Sequence, residues 1–301
     1  MSSHDYVTVN VFTADRFGGN PLAVFTDARG LTDAQMQAIA RDFNLSETTF
    51  VLPPDNPQHH ARVRIFTPTT EMPFAGHPNV GTGFVLARAM DNPPEHLVFE
   101  EIAGLVRVHI LRGEGKEIVG TRISAPKTLS IGDAVETATV AACAGLTPDD
   151  ILTTAHDPLK ASVGAEFAIA EVVSLDALGR ASPDLAAFRT AAAGQTGNLR
   201  FALLLYVRRD GDATRLRARM FAPLGGVLED PATGSACATL AALLTSMAPG
   251  VNVSLSYEIE QGVEMGRPSL LIASARKTGE GPVEATVAGA CVLSGRGTLE
   301  L

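Results

Sequence analysis

The stretch that decides the fold occurs twice. Arg64 to Phe84 reads R-I-F-T-P-T-T-E-M-P-F-A-G-H-P-N-V-G-T-G-F, and Arg219 to Leu240 reads R-M-F-A-P-L-G-G-V-L-E-D-P-A-T-G-S-A-C-A-T-L. Both begin Arg-apolar-Phe-x-Pro. Both place an acid (Glu71; Asp230) ahead of a proline (Pro73; Pro231), and both reach Gly-polar-small at Gly76-His77-Pro78 and Gly234-Ser235-Ala236. An apolar run with helical spacing follows each. The pattern predicts a strand, a turn and a glycine-started helix in each half of the chain. Two such helix N-termini, if they face each other, line a cleft with free backbone N–H groups. That is a place for an anion and for charge that develops during a reaction.

Outward from these stretches, the same rhythm continues. Tyr6 to Phe12 alternates as a half-buried strand does, Gly18-Gly19-Asn20-Pro21 is a turn, and Leu22 to Phe25 is a second strand. Leu31 to Phe43 has helical spacing with Thr32 as its N-cap. Strands are expected at Thr49–Leu52, Ala61–Phe66, Leu97–Glu101, Gly104–Leu111 and Glu117–Ser124, with a helix over Asn79–Met90. Ala125 to Ser130 reads as the passage between halves. Beyond it come helices at Thr137–Ala144, from Leu175, at Pro183–Ala193 and at Ser235–Thr245, set among strands, and a tail that is strand after strand, at Val253–Glu260, Ser269–Ala275 and Val283–Leu293. Ala236, Ala238, Leu240, Ala241, Leu243 and Leu244 make the second glycine-started helix apolar nearly all round, which predicts burial. The expected class is α+β: two sheets, each curled round one apolar helix.

The chain has 301 residues, 46% hydrophobic and 19% charged, with 28 Gly, 18 Pro and no Trp, so the core is built from aliphatic side chains. A net charge of -9 argues against a nucleic-acid partner, which needs clustered Lys and Arg. The densest basic stretches, Arg208-Arg209 and Arg215, Arg217, Arg219, have the period of a strand's solvent face. Three cysteines, Cys143, Cys237 and Cys291, form neither a disulfide framework nor a zinc pattern. No run of about 18 apolar residues and no secretory leader occurs. The expectation is a cytoplasmic protein with no membrane partner, no metal and no tightly bound cofactor, since phosphate-loop, dinucleotide and His-Glu-x-x-His patterns are all missing.

A few residues could carry chemistry. Glu47, in N-L-S-E-T-T-F at Asn44 to Phe50, stands among small hydroxyl residues and is flanked by Leu45 and Phe50. It is either a helix-end acid in water or a carboxyl in a partly apolar pocket, whose raised pKa would suit proton shuttling. His77 is either a capping or core histidine, or a base or donor to a substrate oxygen. Asp230 and Ser235 each could cap their own helix, but one cap per helix suffices, so the surplus of polar groups favours a site. Asn20 reads as a turn residue and Cys237 as a core thiol.

Taken together these stretches resemble the PhzF family of phenazine-biosynthesis-like isomerases. The resemblance rests on V-F-T at Val11–Thr13, G-N-P-L-A-V-F at Gly19–Phe25, N-L-S-E-T-T-F, R-I-F-T-P with E-M-P-F-A-G-H-P at Arg64–Pro78, and Gly81-Thr82. In the second half it rests on R-M-F-A-P at Arg219–Pro223, E-D-P-A-T-G-S-A at Glu229–Ala236, Gln261-Gly262 and G-R-P-S at Gly266–Ser269. It implies the diaminopimelate epimerase-like fold, two pseudo-symmetric lobes with the active site in the cleft between them. The N-terminal lobe is then 1–125 plus 286–301 and the C-terminal lobe 126–285. It implies Glu47 as the proton-transferring group. Asn20, His77, Asp230 and Ser235, with the backbone N–H groups of Gly76 and Gly234, would bind the substrate, and a homodimer is implied as well. Asn79 departs from the threonine common after G-H-P.

The function so implied is a cofactor-independent isomerase that moves a proton on a small unsaturated or cyclic carboxylic acid. In racemases of the same superfamily two thiols sit just before the paired glycines; here Ala75 and Thr233 stand there, which removes a two-thiol mechanism. An amino-acid racemase or epimerase with other bases, and a binding protein that keeps the fold without catalysis, are the rival readings.

Overall fold

The computed structural model describes residues 3–193, 201–209 and 211–301. The chain forms two compact units: Met1–Pro126 with Val287–Leu301, and Lys127–Thr286.

The first unit runs β1 (Ser3–Val11), β2 (Asn20–Phe25), α1 (Asp33–Phe43), β3 (Glu47–Leu52), β4 (Ala61–Phe66), β5 (Glu71–Met72), α2 (Gly76–Arg88), β6 (His96–Glu101), β7 (Gly104–Arg112) and β8 (Ile118–Ser124). Neighbours pair antiparallel, except β2 with β3 and β4 with β6, which are parallel. The strand Glu284–Glu300 lies antiparallel to β1 from Val11↔Cys291 to Ser3↔Glu300, and pairs with β8 as well. The ring is thereby closed into a barrel, with α2 inside. Every residue of α2 from Gly76 to Val85 is buried, so the helix has no face for polar residues. Two glycines make room for the strands around it. A Cβ on Gly81 would lie 2.6 Å from Leu22 Cδ2 and 2.7 Å from Val11 Cγ2; one on Gly83 would lie 2.5 Å from Val108 Cγ1.

The helix α1 carries the chain across from β2 to the parallel β3, as such a pairing requires. It starts at Thr32, whose hydroxyl accepts from Gln35 N–H while the Gln35 side chain accepts from Thr32 N–H. It packs Met36, Ile39 and Ala40 against Phe25, Phe50 and Phe66 on the outside of the barrel.

The second unit runs β9 (Ser130–Ala134), α3 (Thr137–Ala144), β10 (Ile151–Leu152), β11 (Leu159–Ser162), β12 (Glu166–Val172), α4 (Leu175–Arg180), α5 (Leu185–Ala193), β13 (Leu203–Arg209), β14 (Asp212–Ala222), β15 (Val227–Asp230), α6 (Gly234–Met247), β16 (Asn252–Gln261) and β17 (Ser269–Thr278), before β18 (Glu284–Glu300). Its inner plan repeats that of the first. The pair β12–β13 is parallel, as is β2–β3; β14–β15 is antiparallel, as is β4–β5. Likewise β14–β16 is parallel, as is β4–β6, and β16–β17 is antiparallel, as is β6–β7. In α6 every residue from Ala236 to Thr245 is buried. The helices α3, α4 and α5 cover the outer face, with Val140, Leu178 and Phe188 against Leu203, Leu205 and Val207.

Three local expectations need correction. The helix α2 begins at Gly76, three residues before the expected Asn79, because Pro78 falls in the first turn, where its missing N–H costs nothing. The strand β18 continues past Leu293 to Glu300, because its polar, glycine-bearing end pairs with the start of β1. Of the arginines of β13 and β14, Arg215 is exposed as expected, but the others are half-buried or buried. Arg208 meets Glu171 at 2.9 Å, Arg217 meets Glu260 at 2.9 Å and Glu264 at 3.2 Å, and Arg219 is buried. Acids on and beside the neighbouring strands supply the counter-charge that burial demands.

Candidate active site

The N-terminus of α2 is where the first unit gathers its polar groups. Asn20 opens β2 and Glu47 opens β3; in this parallel pair Leu22 faces Glu47, so both strands start at the same end. Asn20 is a buried strand residue rather than a residue of an open turn. The turn before it depends on Gly19, at φ +65, where a Cβ would stand 2.3 Å from the Val11 carbonyl oxygen. His77 is the second residue of α2 and only 4% exposed. Its Nδ1 lies 3.2 Å from Glu47 Oε2 and 3.5 Å from Asn20 Nδ2. Three residues far apart in sequence, all singled out there, therefore meet at one helix end. Gly76 is the first residue of that helix, and Ala75, the N-cap, gives no side-chain cap. The first N–H groups of α2 thus keep the property sought from the sequence: the helix itself cannot satisfy them.

Burial governs the chemistry of His77. Removal from water pushes its pKa down to about 3, with the backbone of Pro21 pulling weakly the other way. The ring is therefore neutral near pH 7, and its contact with Glu47 is a hydrogen bond rather than an ion pair. With its single proton on Nδ1, the ring donates to the carboxylate, an assignment made from the partners. Nε2 is then an acceptor; it is buried and reaches no hydrogen-bond partner among the described residues.

The second unit builds a like-made end. Gly234 and Ser235 open α6, and the N-cap Thr233 gives no side-chain cap to the helix. Neither Asp230 nor Ser235 is the cap residue. Asp230 closes β15, is buried, and accepts a hydrogen bond from the Thr233 hydroxyl. The turn is fastened by residues whose role the sequence did not disclose. Gln261 accepts from Thr233 N–H at 3.1 Å and donates to the Asp230 carbonyl at 2.7 Å, while the Ser269 hydroxyl donates to the Pro231 carbonyl at 3.0 Å. The Gln261-Gly262 and Gly266–Ser269 motifs thus hold the E-D-P-A-T-G-S turn in place.

The repeated Arg-x-Phe also acquires a structural meaning. Arg64 grips Glu71 through two bonds of 2.7 Å, and Arg219 grips Glu229 through two of 2.8 Å. Each guanidinium also covers the phenylalanine two residues on, at 5.1 Å for Phe66 and 4.9 Å for Phe221. The third arm of each clamp reaches an acceptor at a helix end, an acid side chain in one case and backbone carbonyls in the other. Arg64 goes to Asp33 in the first turn of α1; Arg219 goes to the Leu178 and Ala181 carbonyls at the C-terminus of α4. This corrects the alignment of the two stretches. The counterpart of Glu71 is Glu229, not Asp230; in register terms Asp230 answers to Met72. The acid at Asp230 is therefore peculiar to the second unit.

Of the three thiols, Cys143 is pushed up to about 11 and Cys291 to about 12 by burial, and Cys237 is driven up by burial and by Asp230. All three remain protonated core thiols. Among the described residues no group of three His, Cys, Asp or Glu side chains is arranged as metal ligands, and no helix is long and apolar enough to cross a membrane.

The fold these units define is the α+β diaminopimelate epimerase-like fold, each unit a curled sheet around a central apolar helix. The structure superimposes on the crystal structure of the Bacillus anthracis phenazine biosynthesis protein of the PhzF family with a TM-score of 0.87, at 24% identity and over 100% of both chains. Residues 9–297 match the family described as phenazine biosynthesis-like protein. The sequence is 40% identical over 273 residues, 89% of each chain, to an uncharacterized isomerase of Mesorhizobium japonicum. It is 38% identical over 300 residues to the trans-2,3-dihydro-3-hydroxyanthranilate isomerase of Pseudomonas fluorescens, covering 99% of this chain and 100% of that one. The chain belongs to the PhzF family of phenazine biosynthesis-like proteins and is an isomerase.

Proposed function

We propose that this isomerase moves one proton along a small unsaturated or cyclic carboxylic acid, with Glu47 as the proton carrier. The observation that supports the reading best is the grouping of Glu47, His77 and Asn20 at the N-terminus of α2. A neutral His77 bonded to Glu47 Oε2 holds the carboxylate in place. In the forward step a substrate C–H bond breaks, its proton passes to Glu47, and the electron pair enters the conjugated system. In the return step Glu47, whose proton exchanges with water between the two steps, gives a proton to another carbon and is a carboxylate again. No electron is gained or lost overall. The helix N–H groups of Gly76 and His77 suit the negative charge that appears between the two steps. Asp230, Ser235 and the N–H of Gly234 are proposed as substrate-binding groups on the family pattern. Ala75 and Thr233 at the two N-caps leave no thiol pair to support a racemase.

The relative from Pseudomonas fluorescens supplies the first compound to try, trans-2,3-dihydro-3-hydroxyanthranilate. Turnover in deuterium oxide should place solvent deuterium in the product. Glu47→Gln should lower the rate by about 10²–10⁴-fold, the usual worth of one acid–base group, with the fold unchanged by circular dichroism. A Glu47→Gln enzyme of undiminished rate would end the assignment of Glu47. An enzyme inert on this compound but active on another small cyclic acid would move the substrate and leave the carrier in place.

A further inference from the structure

The turn that bears Gly76 and His77 is tied down by a residue with no counterpart in the proton-transfer scheme. Asn79 is fully buried, and its Nδ2 donates at 3.0 Å to the carbonyl of Ala75, the N-cap of α2. Its Oδ1 is buried and reaches no hydrogen-bond partner among the described residues. Beside this amide lies Glu101, the last residue of β6. Both of its carboxyl oxygens are buried, and neither reaches a hydrogen-bond partner among the described residues. A carboxylate can only accept, whereas a carboxylic acid also has one O–H to give. The Asn79 amide therefore meets two different neighbours. The neutral acid can donate to the orphaned Oδ1 and leaves Nδ2 with Ala75. The ionised form can only accept, and so competes with the Ala75 carbonyl for Nδ2.

We infer that Glu101, kept as the neutral acid, is a positioning residue: through Asn79 it holds the Ala75 carbonyl, and with it the helix turn that carries Gly76 and His77. Its surroundings agree. A groove of about 480 Å³ runs past it, with charged groups from several elements, yet these are matched among themselves. Arg64 of β4 is taken by Asp33 of α1 and Glu71 of β5. Arg62 goes to Asp55, and Glu100 is held by the Asp55 and Asn56 N–H groups and by His59. On the side of α2, His77 is neutral. No cation among these is left over for Glu101, and burial pushes its pKa up to about 8, outweighing the Asn79 amide, which by itself favours the carboxylate.

The inference rests on α2's first turn being part of the active site, but its test needs no turnover, so the two fail separately. Isotope-labelled protein is titrated by NMR from about pH 6 to 10, a range in which His77 does not ionise. The Glu101 carboxyl carbon and the Gly76 and His77 amides should shift together, with a midpoint near about 8. In Glu101→Gln the movement of the two amides should vanish. In Asn79→Ala the carboxyl should still titrate without the amides following. Amides that stay still in the unmutated protein, or that titrate equally in Glu101→Gln, overturn the inference. Should Glu101→Gln not fold, the unmutated carboxyl decides alone: a midpoint near the ordinary 4.5 overturns it as well.

Discussion

Replacing Glu101 by glutamine should flatten the dependence of stability on pH, and the structure sets both sign and size. The carboxyl ionises near its ordinary 4.5 when the chain is unfolded and near about 8 when it is folded. Between those values the unfolded chain has released the proton while the folded one still holds it. Fewer protons on the unfolded state means that stability falls as pH rises across this window. The group contributes no slope below 4.5 or above about 8. A shift of 8 − 4.5 = 3.5 units corresponds to at most about 5 kcal/mol. Local rearrangement and some access of water reduce this, so about 2–4 kcal/mol is the expected loss between pH 5 and 8. Glutamine keeps the shape and cannot ionise. Urea unfolding of both proteins at pH 5, 6, 7, 8 and 9 gives the difference directly. The two should be nearly equal at pH 5, with the glutamine variant gaining steadily to pH 8 and holding its lead at pH 9. A difference that stays constant over the whole range, or that runs in the opposite direction, refutes the assignment of a buried neutral acid.

Two further outcomes follow from the packing. Gly81→Ala drives a methyl against both Leu22 and Val11; the overpacking, about 1–3 kcal/mol, should exceed the roughly 1 kcal/mol of helix propensity gained, so the urea midpoint falls. Glu229→Ala strands the buried Arg219 and should cost about 3–5 kcal/mol, whereas Glu71→Ala leaves Arg64 with Asp33 and should cost clearly less. Equal losses, or a larger one for Glu71→Ala, would show that the two clamps are not balanced as described.

The doubled Arg-x-Phe stretch carried much of the architecture in readable form. Its glycine-started apolar helices are the two central helices, and the Thr32 cap was visible because capping is a local matter of three or four residues. The meeting of Glu47 and His77 was legible only through family resemblance, since thirty residues of chain separate them. The pairing of Glu71 with Glu229 was misread for a local reason. The arginine-to-acid spacing is seven residues in one stretch and ten in the other, and although each acid stands two residues before its proline, the second stretch has another acid, Asp230, directly before Pro231 where the first has Met72. The contribution of Gln261, Ser269 and Glu101 could not be read at all. Each acts on a turn distant in sequence, through contacts that only register and burial create. The same holds for Arg219, whose periodicity suits a solvent face and whose burial depends on Glu229 and the end of α4.

The closing of the first barrel by β18 has a consequence for how the molecule is made. Strands β1 to β8 are finished early in synthesis, yet the ring stays open along β1 and β8 until the whole of the second unit has been translated. That second unit is continuous and has its strands in hand first. The earlier-born half must therefore wait, with two unpaired edges, for the later-born half to deliver its last staple, and shortening the chain at Ser294–Glu300 should injure the opposite end of the polypeptide.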